Sequence, residues 1–204
     1  MGGPNPAIHG TDFAERFGDR AFVLAARHRA TRVLGDGQKP FDAWATMQGV
    51  ETLHLRMERH CENALAVAEF LDGHPDVAWV TSPGLADHET HDAAREYLDD
   101  FGGMVAFGLE AGYEAGRRLC EEVDLTRFLA NVGDARSLLI HPASTTHAQL
   151  SEAEQRASGV SPDLLRLSVG IEDVDDVIAD LDAAIGRATA LAEGRGASAT
   201  GEST

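Results

Sequence analysis

The apolar positions in the first third of the chain recur at helical spacing. Between residues 12 and 34 they predict an amphipathic helix with Asp12 near its amino end. The glycines at 35 and 37 interrupt that pattern, and Pro40 favours a new helix start. A long helix is then predicted from about 41 to 71. Its core-facing candidates are Trp44, Met47, Val50, Leu53, Met57, Ala64, Val67 and Phe70.

Beyond residue 73 the pattern changes to short alternating elements. Strands are predicted at 77–81, 103–109, 137–140 and 164–169, with extended chain at 128–132. Helices are predicted at 87–98, 112–123 and from 174 to about 191. Strands that alternate with helices indicate an α/β fold class, or α+β where the sheet is small. The small, polar residues at the end of the chain predict a disordered tail at 187–204.

The charge balance excludes some partners. The chain carries 34 acidic and 17 basic residues, a net charge of −17. A field of that sign repels nucleic acid and anionic membrane surfaces. Lys39 is the only lysine. Codon usage of a GC-rich genome explains missing lysines but not the acid excess, so the composition favours adaptation to high salt (a halophilic protein).

No motif indicates a metal, a membrane span or export. His88 and His91 are one residue short of the HExxH spacing that places two histidines on one zinc ion. The amino end has no signal-peptide pattern, and no apolar run approaches the roughly 20 residues that a bilayer requires. A cytoplasmic location is expected. Cys61 and Cys120 lie in predicted helices and are expected to be small buried residues.

Four segments in order resemble one enzyme family. They are FGDRAFVLAARHRATRVLGDGQKPFDAW at 17–44, MQGVETLHLRMERHCENALAVAEFL at 47–71, FLANVGDARSLLIHPASTTHAQLS at 128–151 and LLRLSVGIEDVDDVIADL at 164–181. Together they resemble the carboxy-terminal region of the gamma-family, fold-type-I pyridoxal phosphate enzymes of cysteine and methionine metabolism. This family includes cystathionine synthases and lyases, methionine gamma-lyase and O-acetylhomoserine sulfhydrylase.

The resemblance implies a domain organisation and an activity. Residues 1–60 would be the end of the large, cofactor-binding domain and the start of a connecting helix. Residues 61–186 would be the small carboxy-terminal domain that lines the substrate pocket. The context NVGDARSL is most similar to O-acetylhomoserine sulfhydrylases, which are transferases or lyases of methionine and cysteine biosynthesis (transsulfuration). The same part of a cystathionine gamma-synthase or lyase is the alternative.

The resemblance also implies three residues that bind an amino-acid substrate. Arg166 matches the arginine that holds the substrate α-carboxylate, a task for which its planar fork of donors is suited. It is predicted to face opposite to Leu165 and Leu167 on its strand. Asn131 matches a position that lines the same carboxylate pocket, and Thr146 matches a residue near the carboxylate and the cofactor.

The cofactor lysine of the family has no counterpart in the chain. Lys39 lies in GDGQKPFDAW, outside the family's lysine motif, and is interpreted as a loop lysine. No catalytic or cofactor-binding residue is therefore assigned, and the chain alone is expected to be inactive. It could be the carboxy-terminal part of a sulfhydrylase-like enzyme that joins a missing amino-terminal half and forms a homo-oligomer. It could also be a non-catalytic partner subunit or a remnant.

Overall fold

The computed structural model describes residues 2–4, 6–35 and 37–199. The chain divides into two compact units, of which the first ends at Thr52 and the second begins at Leu53. The boundary predicted from the family resemblance, between 60 and 61, falls inside the first helix of the second unit. That domain assignment stays a prediction.

The first unit consists of short helical segments. Helix α1 (Phe13–Phe17) begins after Asp12, whose carboxylate accepts a hydrogen bond from the Glu15 N–H at 3.0 Å. The single helix predicted for 12–34 is wrong, because Gly18 has a φ of 51° and ends α1. The segments that follow are a 3₁₀ turn (Gly18–Arg20), α2 (Ala21–Ala26), a π-helical turn (Arg27–Thr31), α3 (Arg32–Leu34) and α4 (Pro40–Glu51).

The second unit begins with helix α5 (Leu53–Asp72), so that Thr52 divides the long helix predicted for 41–71 into two helices. Only part of the predicted core-facing stripe is covered. Ala64 and Val67 are buried and Phe70 is half-buried. The core prediction is wrong for the other five positions, which remain 39–62% exposed: Trp44, Met47, Val50, Leu53 and Met57. Periodicity identifies an apolar face, but it does not show whether the same unit supplies its cover.

The second unit is built on a five-stranded mixed sheet in the order β1-β2-β5-β4-β3. The strands are β1 (Val77–Thr81), β2 (Met104–Leu109), β3 (Arg127–Phe128), β4 (Leu138–Ile140) and β5 (Leu164–Ser168). Strands β3 and β4 are parallel, and the other three pairings are antiparallel. The predicted α/β class is confirmed, and four strands lie within one residue of their predicted limits. The extended chain predicted at 128–132 is a strand only as far as Phe128.

Helices cover one face of the sheet. The remaining elements are α6 (His91–Tyr97), α7 (Gly112–Glu122), a 3₁₀ turn (Pro142–Ser144), α8 (Glu152–Ala157) and α9 (Val174–Ala199). Helices α5, α7 and α9 pack with alternate strand residues into one core, which includes Leu71, Phe107, Leu119, Leu167 and Leu181. Both cysteines are buried, as predicted, and burial raises the pKa of Cys120 to about 12.

Two predictions about the last 55 residues need correction. Helix α8 was missed, although Ser151 and Glu154 form the capping box that marks a helix start. The disordered tail is wrong for 187–199, because α9 continues to Ala199; residues 200–204 lie outside the described part of the chain. None of the helices in the described ranges is both long and apolar enough for a membrane crossing.

Candidate functional site

The arginine predicted to bind substrate lies on the central strand of the sheet. Arg166 is half-buried on β5, with Ala106 of β2 and Ile140 of β4 as its cross-strand neighbours. Leu165 and Leu167, whose side chains face the helices, are fully buried, so the predicted alternation is confirmed. The side chain of Arg166 makes no hydrogen bond or ion pair with any residue in the described part of the chain. Its five guanidinium N–H donors are therefore available to an anion that the described residues do not supply.

The two other predicted residues follow strands that end at the same edge of the sheet. Strand β3 runs parallel to β4, with Phe128 beside Leu139, so the segments after both strands leave the sheet on one side. Asn131 lies in the segment after β3 and is exposed. Thr146 lies in the turn after β4, is also exposed, and its hydroxyl lies 2.9 Å from His147 Nδ1. No bond joins these two residues to each other or to Arg166 among the described residues.

The turn after β4 is held by a buried histidine. His141 Nε2 donates to the Pro162 carbonyl at 2.8 Å, and Nδ1 lies 2.9 Å from the Ser144 hydroxyl. Gly116 makes room for the ring, since a Cβ there would lie 3.0 Å from His141 Cδ2. Burial lowers the pKa of His141 despite the bond to Pro162. The neutral imidazole therefore anchors the turn that carries Thr146.

The lowered pKa makes the turn sensitive to acid. The unfolded chain takes up a proton on this histidine near the ordinary pKa of about 6.5, before the folded protein does. The contribution of His141 to the free energy of unfolding is thus complete above that pH and is lost as the pH falls through the pKa of the folded state. We expect the unfolding free energy to fall less between neutral and mildly acidic pH in His141→Asn than in wild type. Urea unfolding at both pH values measures this.

Equal pH dependence in wild type and His141→Asn would contradict the assignment of the anchoring role to the neutral ring.

Asn131 lies in a loop that a buried polar network ties to the segment after β5. At the end of that loop, Ser137 donates to Glu172 from its backbone N–H at 2.7 Å and from its hydroxyl at 3.0 Å. The Gly170 N–H donates to the Ser137 hydroxyl at 2.9 Å. Asn63 of α5 donates to the carbonyls of Gly170 and Glu172 at 3.1 and 2.9 Å. The sequence offered no signal for this network, because its members are distant along the chain.

A second contact shapes the middle of the same loop. Arg136 clamps Asp134 with its Nε and Nη2 groups, each at 3.0 Å, and its backbone N–H adds a third bond at 3.1 Å. These hydrogen bonds lower the pKa of Asp134 to about 2. The loop therefore carries its own charge pair, and Arg136 is not free to bind a substrate anion.

The start of β5 is positioned by a contact across β2. Trp79 of β1 donates from its indole Nε1 to the Asp163 carboxylate at 2.6 Å. This bond passes directly over Gly108 of β2, where a Cβ would collide with both partners. Three adjacent strands are thus tied together beside Arg166.

The described residues do not fit an internal pyridoxal phosphate aldimine. Lys39 is exposed at the amino end of α4, and no hydrogen bond or ion pair of its side-chain amine is found in the described part of the chain. An imine-forming lysine needs neighbours that lower its pKa or desolvate it. The side chain of Lys39 is exposed to solvent rather than desolvated, so no chemical step is assigned to the cofactor on this chain.

This geometry leads to a direct test of Lys39. After incubation of the chain with pyridoxal phosphate and borohydride at low stoichiometry, we expect no selective label at Lys39, because its exposed side chain is not desolvated. Peptide mapping measures the label, and free Nα-acetyl-lysine is the reference. A label at Lys39 far above that reference would contradict the prediction.

Comparison with known proteins defines first the class and then the family. The structure matches the crystal structure of an O-acetylhomoserine (thiol)-lyase from Campylobacter jejuni that carries a pyridoxyl-lysine phosphate, a fold-type-I enzyme. The TM-score is 0.80 at 41% identity, over 91% of this chain and 44% of that one. Residues 11–186 match the model of the Cys/Met metabolism PLP-dependent enzymes. The chain belongs to this pyridoxal phosphate-dependent family, as its four sequence segments predicted.

Curated relatives agree with the family. O-acetyl-L-homoserine sulfhydrylase 1 of Thermus thermophilus is 49% identical over 183 residues, which are 89% of this chain and 44% of the relative. Homocysteine synthase of Schizosaccharomyces pombe is 45% identical over 89% of this chain and 43% of its own length. L-methionine gamma-lyase of Fusobacterium nucleatum is 43% identical over 80% of this chain and 40% of its own length. The chain spans less than half the length of these relatives.

Proposed function

We propose that this chain supplies the substrate-carboxylate site of an O-acetylhomoserine sulfhydrylase-like enzyme of methionine and cysteine biosynthesis. The observation that carries the proposal is Arg166, a half-buried arginine on the central strand whose side chain has no partner in the described part of the chain. A guanidinium in that place loses hydration and gains nothing from the protein. A bidentate bond to the α-carboxylate of a small amino acid supplies the missing partner.

The surroundings of Arg166 support a positioned site. The segments with Asn131 and Thr146 leave the sheet at one edge and are each anchored from behind, by Ser137 and by His141. Anchored loops place their polar groups without losing conformational entropy when the substrate binds. We assign the side chains of Asn131 and Thr146 to the rim of the carboxylate site.

The proposal requires a second polypeptide portion that binds the cofactor. We infer that this chain works with a partner equivalent to the remaining part of its relatives, and that the complete enzyme is a homo-oligomer. The alternative of a non-catalytic remnant or partner subunit predicts the same fold without a working substrate site.

A chimera tests the proposal against that alternative. In the Thermus thermophilus relative, the segment that matches residues 11–186 is replaced with the sequence of this chain. We expect the purified, cofactor-loaded chimera to convert O-acetyl-L-homoserine and sulfide to homocysteine at a rate within about tenfold of the parent enzyme. A folded, loaded chimera without activity would overturn the proposal in favour of the remnant. Faster turnover with cysteine than with sulfide would favour a cystathionine gamma-synthase.

We also propose that the acidic surface is an adaptation to salt. With a net charge of −17, the folded chain repels itself at low ionic strength. Salt at about 1 M shortens the Debye length to about 3 Å and screens this repulsion. Thermal unfolding should therefore shift to higher temperature between low salt and molar potassium chloride. An unchanged or lower midpoint would argue against the adaptation and for codon bias.

A further inference from the structure

A buried histidine in α5 lacks one hydrogen-bond partner. His60 is 3% exposed, and its Nδ1 lies 2.6 Å from the Val169 carbonyl oxygen. A carbonyl only accepts hydrogen bonds, so Nδ1 carries the proton. In the neutral imidazole Nε2 is then an acceptor, and this buried atom has no partner among the described residues. Leaving such a buried acceptor unpaired is unfavourable, and a bound hydrogen-bond donor removes that cost.

The same imidazole forms part of the wall of a small cavity. The cavity has a volume of about 80 Å³, and its walls include Met57, His60, Met104, Ser168 and the segment 132–133. A water molecule needs roughly 10–15 Å³ of such space, so a larger molecule fits. None of the residues that line the cavity is a lysine, arginine, aspartate or glutamate. Its occupant should therefore be small and uncharged.

The cavity adjoins the proposed carboxylate site. Ser168 follows Arg166 by two residues on β5, so both side chains point to the same face of the sheet. At about 3.4 Å per residue their Cα atoms lie about 7 Å apart. Val132 in the cavity wall is the neighbour of Asn131. One strand and one loop thus serve both the cavity and the carboxylate site.

We propose that this cavity binds the sulfur-supplying substrate as neutral hydrogen sulfide, with an S–H group donating to His60 Nε2. The inference rests on the proposed function, which requires sulfide as a reactant. The thioethers of Met57 and Met104 are polarisable, and dispersion attraction favours a sulfur guest over water. The hydrosulfide anion is excluded because burying a charge without a partner costs several kcal/mol.

The methionines of the chain provide a direct test without cofactor or activity. The chain has four methionines, of which Met57 and Met104 line the cavity and Met47 is exposed on α4. The full chain, labelled with ¹³C at the methionine methyl groups, is titrated anaerobically with sodium sulfide at fixed pH and ionic strength. We expect the Met57 and Met104 signals to shift along one saturating curve while Met47 stays unchanged.

Two variants identify the binding group. His60→Phe keeps a ring in the cavity wall but removes the acceptor, so saturation should disappear. Because this change also removes the bond to Val169, a second variant changes the exposed loop instead. Val132 is 61% exposed, and Val132→Trp should obstruct the cavity without disturbing the fold. An overall spectrum that matches that of the wild-type chain verifies folding in both variants.

Three outcomes would overturn the proposal. They are equal, unsaturated shifts of all methionines, saturation that persists in both variants, and a long-lived water at the His60 ring that sulfide does not displace. The outcome is independent of the chimera. A saturating shift with an inactive chimera would leave the cavity site intact and refute the proposed function, whereas an active chimera without a shift would refute only the cavity site.

Discussion

Replacing Arg166 with alanine in the active chimera should lower kcat/KM for O-acetyl-L-homoserine by about 30-fold or more. A bidentate arginine–carboxylate pair in a partly desolvated site contributes about 2–5 kcal/mol when its loss leaves the partner charge unpaired. Arg166→Lys should restore only part of the loss, because an ammonium group cannot reproduce the planar fork. Steady-state kinetics with sulfide in excess measures all three enzymes.

The structure supplies two controls for this experiment. Arg95 on α6 is exposed, and no hydrogen bond of its side chain is found in the described ranges; Arg95→Ala should leave kcat/KM within about twofold. The isolated chain should unfold at nearly the same urea concentration with Arg166→Ala as without it, since the Arg166 side chain has no partner among the described residues. Near-normal kinetics in the Arg166→Ala chimera would show that the carboxylate binds elsewhere.

Two glycine-to-alanine substitutions should change stability in opposite directions. A Cβ at position 170 would lie 2.5 Å from the Arg136 carbonyl carbon and 2.5 Å from the Ser137 nitrogen, and would collide with the Glu172 carboxylate. Backbone cannot yield as a flexible side chain does, so Gly170→Ala must break the Ser137–Glu172 bonds or shift the loop. We expect it to lower the free energy of unfolding by about 3 kcal/mol or more.

Gly186 on α9 is the matched site. No atom lies within 4 Å of a Cβ built there, and the residue is exposed within a helix. Gly186→Ala should therefore raise the free energy of unfolding by about 0.5–1 kcal/mol. Urea unfolding measures both changes in the free energy of unfolding. Changes of the same sign in the two variants would show that the end of the loop is not packed as described.

Because Gly170 joins the loop of Asn131 to the strand of Arg166, its substitution should also affect the site. In the chimera, Gly170→Ala should lower kcat/KM well below the value for Gly186→Ala.

The sequence alone determined the elements whose signals are local. The alternation of Leu165, Arg166 and Leu167 predicted a strand with one polar side chain opposite two buried ones, and the structure confirms it. The resemblance of the four quoted segments, taken in order, also identified the family. Some local signals were present but overlooked, among them the capping box at Ser151 and Glu154 and the helix interruption at Gly18.

Only the tertiary structure decided which of these residues share a site. Asn63 and Glu172 are 109 residues apart, and Ser137 and Glu172 are 35 apart, yet their bonds set the position of one loop. A carboxylate at the start of a helix is equally consistent with a solvated residue, so sequence could not assign Glu172 to Ser137. The orphan acceptor of His60 depends on the Val169 carbonyl, again 109 residues away. Helical and strand periods follow from backbone geometry over a few residues, whereas hydrogen bonds between distant segments form only after the chain has packed them together.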